Sequence, residues 1–233
     1  MEVKKTYDIT FKCPFNCIIA GPTGSGKSNL LKKILKYRNI LCDVKFEKVI
    51  LFYSMWQPLY DEMKEIKCVD DFIEDIPSTD ELLTIINQVQ NIDSLNPPHQ
   101  LLIFDDLLMN ITQRKDNLVS LLATVFGHHK NLSLVFVSQL LFKPGDNRYN
   151  IIIENIHYLF FMKSPRNSSK IIHLAKQISP YDISFIVESY KNATKDGYSY
   201  IMFDFHQTTD EDLKIRTNVF PNEKPLTVYM KHM

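Results

Sequence analysis

Gly21-Pro-Thr-Gly-Ser-Gly-Lys-Ser28 fits the pattern G-x-x-x-x-G-K-[ST] at every fixed position. The apolar stretch Phe15–Ala20 leads into it and a helical pattern follows, which is the context such a loop requires. Its chemistry follows from the residue types. Glycines let the backbone curl until successive N–H groups point at phosphate oxygens, and the start of a helix adds partial positive charge. Lys27 is then placed to reach terminal phosphates, and the Ser28 hydroxyl to ligate Mg2+. Gly21, Pro22, Thr23, Gly24, Ser25, Gly26, Lys27, Ser28 and Asn29 are the expected nucleotide-binding residues. ATP and Mg2+ are the expected cofactors.

A second constellation is acidic. Leu101-Leu-Ile-Phe-Asp105-Asp106 is an apolar strand that ends in two carboxylates. Asp105 suits a Mg2+ site, because one carboxylate plus phosphate oxygens and water complete that ion's octahedron. Asp106 is placed to orient or deprotonate an attacking water. Taken alone, the pair also fits turn chemistry. Downstream, Leu132–Val137 ends in Ser138-Gln139, where Gln139 interrupts an otherwise apolar run. A glutamine there can touch a terminal phosphate or the lytic water, or it can satisfy a loop carbonyl. The chain holds five arginines, Arg38, Arg114, Arg148, Arg166 and Arg216. Arg166 follows the strand Ile156–Met162 and is the candidate to act across a subunit boundary, with Arg148 in the turn Pro144–Tyr149 as the other. His128-His129-Lys130, with Arg114, Lys115 and Lys143, forms a basic cluster that suits either DNA contact or a solvated face.

These residues need a scaffold that brings them together. Asn16–Ala20, Lys48–Tyr53, Leu101–Phe104, Leu132–Val137, Ile156–Met162 and Tyr198–Phe205 read as strands. Lys27–Arg38, Ser78 or Thr79 to Gln90, Lys115–Phe126, Ser168–Gln177 and Tyr181–Lys191 read as helices, with a Pro-bearing turn at Trp56–Tyr60. Such alternation predicts an α/β fold with a mostly parallel sheet, helices on both faces and ligands beyond the carboxyl ends of the strands. The chain reads as one domain, with a core over about 12–178 and a C-terminal extension over about 179–233.

The 233 residues carry 27 Lys+Arg against 27 Asp+Glu, so the formal charge is zero. That excludes a protein that coats nucleic acid by bulk charge. The balance is uneven along the chain. Residues 1–48 hold ten cations and four anions, residues 49–112 two and twelve, and residues 113–233 fifteen and eleven. A polyanion is expected to meet the first or third segment, and the acidic middle to face away from it. No apolar run reaches the length of a membrane span, and the N-terminus shows no signal peptide. Cys13, Cys17, Cys42 and Cys68 match no zinc spacing, so reduced structural thiols in an intracellular, soluble protein are expected.

Gly21–Ser28, Leu101–Asp106, Gly127–Phe142 with Ser138-Gln139, and Phe161-Met-Lys-Ser-Pro-Arg166 occur in this order over nearly the whole chain. The set resembles the genome-packaging ATPases of the FtsK–HerA superfamily, found in poxviruses, other large eukaryotic DNA viruses, virophages and Polinton-type elements. Tyr53–Tyr60, with Gln57-Pro58-Leu59-Tyr60, and Leu213–Thr217 are similar to weaker features of that family. The resemblance implies a RecA-like P-loop NTPase core with an extra strand between the phosphate-loop strand and the acidic strand. It implies a ring of five or six subunits that pumps double-stranded DNA into a capsid, with a capsid or portal-vertex protein as a further partner. By position, Lys27, Asp106, Gln139 and Arg166 take the catalytic places, and Ser28 and Asp105 the metal. Asp106 stands where cellular relatives carry Glu.

Other classes fit the motifs less well. A GTPase would show D-x-x-G after its metal acid, whereas Asp105 is followed by Asp-Leu-Leu, and Thr194-Lys195-Asp196 lacks the spacing of a guanine motif. A nucleoside or nucleotide kinase shares the loop and remains an alternative, as does a non-catalytic, nucleotide-dependent assembly protein.

Overall fold

In a computed structural model the described residues are 7–89, 97–116, 118, 121–122, 130–165 and 168–231. Their strands are β1 (Asn16–Ala20), β2 (Lys48–Tyr53), β3 (Asp71–Glu74), β4 (Gln100–Asp105), β5 (Leu132–Ser138), β6 (Tyr158–Met162), β7 (Tyr200–Asp204), β8 (Ile215–Thr217) and β9 (Thr227–Val228). They form one sheet in the order β3-β2-β4-β5-β1-β6-β7-β8-β9. Pairing is parallel from β3 through β6 and antiparallel from β6 onward to β9.

The sequence pattern explains the layers. β1, β4 and β5 are buried at every position, as expected of parallel strands covered on both faces. Alternate residues then serve opposite cores. Ile18, Phe52, Leu102, Phe104, Leu134, Phe136 and Phe161 point to one face. That face is covered by α3 (Thr79–Val89), α4 (Leu108–Gln113), α5 (Asn147–Glu154), α6 (Ser168–Ile178) and α7 (Ile183–Ala193). Ile19, Leu51, Leu101, Ile103, Val135, Val137 and Phe160 point the other way, to α1 (Lys27–Leu41) and α2 (Pro58–Glu65).

Several expectations shift. α1 runs three residues past Arg38, because Leu41 lies two turns beyond Ile34 and is buried on the same side. The expected turn at Trp56–Tyr60 opens α2, with Pro58 in its first turn, where a missing N–H costs nothing. Arg148 is exposed but lies in the first turn of α5 rather than in a loop turn, and its neighbour Tyr149 is buried. Lys115 and Asp116 form a bend, and most of the expected helix Lys115–Phe126 lies outside the described residues. Ser78 does cap α3 reciprocally: Glu81 N–H donates to Ser78 Oγ at 3.3 Å, and Ser78 N–H to Glu81 Oε2 at 2.8 Å. All four cysteines are free thiols.

Candidate active site at the strand ends

The sheet order places β5 between β1 and β4, and the register brings their carboxyl ends level. Ala20 stands beside Ser138, and Asp105 beside Val137. Two backbone bonds continue the pairing into the loops: Gly21 N–H donates to Ser138 O and Asp106 N–H to Val137 O, both at 3.1 Å. The phosphate-type loop and the acidic pair are thus fastened to the same strand end.

Gly21 has no room for a side chain. A Cβ there would stand 2.6 Å from Met162 Cβ and 2.8 Å from Ser25 Oγ. Gly24 and Gly26 hold φ 75° and 94°, left-handed values that favour glycine and set the curl. Helix α1 begins directly after Gly26, with no side-chain cap and no acid in its first turn. Its first N–H groups therefore face the loop without a side-chain partner, the condition for holding an anion. The buried hydroxyl of Ser25 also lacks a partner. Lys27 is buried, and its Nζ donates to Pro22 O at 3.1 Å, leaving donor capacity for a phosphate. Burial lowers the Lys27 pKa, while the Asp106 and Asp105 carboxylates act to hold it up.

Asp105 is 3% exposed, and its Oδ2 accepts a 2.8 Å hydrogen bond from the Tyr60 hydroxyl. Burial pushes its pKa up to about 6; the Tyr60 hydroxyl draws it down, the Asp106 charge adds to the rise, and Lys27 opposes it. Asp106 is exposed at φ 59°, a left-handed conformation that Asp tolerates better than most residues. Gln139 bridges the two halves: its Nε2 donates to Asp106 Oδ2 at 3.0 Å, and its Oε1 accepts from Thr23 Oγ1 at 3.1 Å. The carboxylate is thus held toward the loop rather than swinging into solvent.

Asp105 and the half-buried Ser28 are oxygen donors suited to Mg2+, which takes few protein ligands and fills its shell with phosphate and water. Among the described residues no cluster of three or more His, Cys, Asp or Glu could cage a metal instead. A cavity of about 880 Å3 lies on the α5–α6 side, between Phe142, Ile153 and His173, and includes no residue of the phosphate-type loop.

The arginines separate by environment. Arg216 is buried, paired with Asp204 and bonded to the Ile9 carbonyl, so it cannot reach a neighbouring subunit. Arg114 is committed to Asp116 and to the Ile76 and Pro77 carbonyls, and Arg38 donates to Leu35 O. Arg148 is exposed, whereas Arg166 lies outside the described residues. In the basic cluster considered for DNA, Arg114 pairs with Asp116 and Lys143 with Asp146, while His128 and His129 lie outside the described residues. Tyr60 is the site residue that sequence reasoning left without a role. The one signal was an aromatic hydroxyl within a core position, since a buried tyrosine usually finds a polar partner.

Comparison with known proteins bears on the fold and the family. The genome packaging NTPase B204 of Sulfolobus turreted icosahedral virus 2, solved with sulfate, superposes with a TM-score of 0.56 at 14% identity, over 94% of this chain and 97% of that one. Its ATP-gammaS complex gives 0.55 at 14% identity, over 94% and 98%. B204 described as the DNA-packaging ATPase of Sulfolobus Turreted Icosahedral Virus gives 0.53 at 12%, over 95% and 99%. At these identities the likeness establishes the P-loop NTPase fold. No curated protein sequence matches the chain at a significant level. Residues 2–152 match the family described as Poxvirus A32 protein, which is more than half of the chain. The chain belongs to the poxvirus A32 protein family.

Proposed function

We propose that this protein is an ATP-hydrolysing motor that moves double-stranded DNA into a viral capsid. One observation carries the hydrolytic part: Asp105, Asp106 and Gln139 lie at adjacent strand ends, the two carboxylates within electrostatic reach of Lys27, with Gln139 tying Asp106 to the phosphate loop through Thr23. In this reading Gly21 to Asn29 cradle the phosphates and Lys27 contacts the terminal ones. Ser28 and Asp105 would hold Mg2+, which when bound neutralises charge on the phosphate oxygens. Asp106 orients the attacking water and accepts its proton, and Gln139 holds Asp106 in register with the loop. The family match and the packaging function of the B204 proteins support the coupling to DNA. We read the chain as one ATPase domain, because β7–β9 continue the sheet that carries the site.

A packaging motor of this kind works as a ring of identical subunits beside a capsid or portal-vertex protein, with Arg166 or Arg148 completing a neighbour's site. No helix among the described residues is long and apolar enough to cross a membrane. The decisive experiment compares ATP turnover with and without long duplex DNA. Stimulation by DNA is expected. Equal rates would remove the motor reading, and phosphate transfer to a nucleoside acceptor would replace it with a kinase.

A further inference from the structure

The residues above serve the phosphate end of a nucleotide and leave its nucleoside end without a seat. The sheet order gives that end a direction. Asp106 and Gln139 lie on the β4–β5 side of the loop, so a chain of phosphates whose terminal member faces them runs back toward β6 and β7. On that flank stands the turn between α7 and β7. Tyr198 in this turn, expected from the sequence to begin a strand, packs against the loop instead. Its Cδ1 and Cβ lie 3.3 and 3.4 Å from where a Cβ on Gly26 would be, while the residue remains 76% exposed.

The turn is built to hold the ring there. Tyr198 adopts φ 58°, a left-handed conformation unfavourable for a bulky aromatic residue, so the surrounding bonds must hold it. Lys163, just beyond β6, secures it from one side: its N–H donates to Ser199 O at 2.9 Å and its Nζ to Lys195 O at 2.7 Å. Lys224 secures the other side through Asp196 Oδ2 at 2.6 Å. Beside the ring opens a cavity of about 500 Å3, lined also by Lys33, Asn192 and Asn218. Much of its polar lining is already engaged: Glu223 accepts from Lys33 and Tyr200, and Asn192 Oδ1 from the Tyr229 hydroxyl. The open aromatic face remains as the feature suited to a flat ligand.

We propose that Tyr198 is the platform for the nucleobase of bound ATP, which stacks on the exposed ring while the ribose enters the adjoining cavity. This rests on the nucleotide-binding reading of the loop. Stacking of a base on an aromatic side chain is the interaction at stake. The test measures binding of ATP-gammaS and of inorganic tripolyphosphate, each with Mg2+, to the full chain and to two variants by calorimetry. Tyr198→Asn keeps a residue that tolerates positive φ. It is expected to bind ATP-gammaS about tenfold or more weaker and tripolyphosphate as the parent does. Tyr198→Phe is expected to match the parent for both. Undiminished ATP-gammaS binding in Tyr198→Asn overturns the platform, and equal loss of both ligands shows that the turn only props the loop. If the parent chain binds neither ligand, the nucleotide reading itself falls and the platform with it.

Discussion

The hydroxyl of Tyr60 touches a single carboxylate, so removing it isolates one interaction. Tyr60→Phe keeps the ring contacts with Tyr53, Trp56 and Phe72 and deletes only the donor to Asp105. A hydrogen bond to an ionised group at a buried site is worth about 1.5–3 kcal/mol. Its loss falls on the charged form of Asp105, moving a pKa of about 6 to roughly 7–8. The sign follows from this rise. On the proposed Mg2+ role of Asp105, binding needs the ionised carboxylate, so affinity falls as pH drops through the carboxyl's pKa. In the parent chain that weakening sets in near pH 6. In Tyr60→Phe it is already present at neutral pH, where half-saturating Mg2+ rises about two- to tenfold and returns to the parental value by about pH 9. The assay is ATP turnover or ATP-gammaS binding against free Mg2+ across this pH range. An identical Mg2+ requirement at every pH, or a difference that persists undiminished at high pH, would refute the reasoning.

Other perturbations test separate parts of the structure. Gly21→Ala drives a methyl group into Met162 Cβ at 2.6 Å, so a stability loss of about 1–3 kcal/mol in urea titration and weakened nucleotide binding are expected together. Asp204→Asn leaves the buried Arg216 charge without its counter-ion and should cost about 3–5 kcal/mol, read as a lower urea midpoint. Asp106→Asn and Arg166→Ala chains, each inactive alone, should recover part of the ATPase activity when mixed; if no mixture recovers activity, Arg166 is not donated between subunits. Lys27→Ala should abolish turnover, and a normal rate would remove the loop from the mechanism.

The legible parts of the fold were those where one physical signal dominates. β1 and β2 emerge with the bounds read from the sequence, because each is a continuous apolar run ended by a turn. The loop was legible because glycine spacing and a lysine specify a backbone shape as well as a ligand. Short elements left no comparable signal. β3 is a four-residue edge strand with acidic ends, β8 and β9 are three and two residues long, and α4 spans only six. Asp105 was legible as a strand-end acid, but its partner Tyr60 comes from α2, 45 residues earlier in the chain, and only the fold brings the two together. The same holds for Arg216. Its residue type suggests an exposed cation, whereas burial against Asp204 makes it a structural clasp.

The strand order also constrains how the molecule is made. β1 precedes the other described strands in the chain, yet its neighbours are β5 and β6, so its first edge cannot pair until Ser138 has emerged and its second not until Met162 has. The phosphate-loop motif is complete by Ser28, but Gly21 is anchored to Ser138 and packed on Met162. A nascent chain therefore carries the entire motif long before it carries a binding site, and must keep an apolar strand from mispairing during that interval. The same logic sets a floor on truncation. A fragment ending ahead of β6 retains every residue that identifies the loop and the Ser138 anchor, yet lacks the Met162 wall on which Gly21 packs.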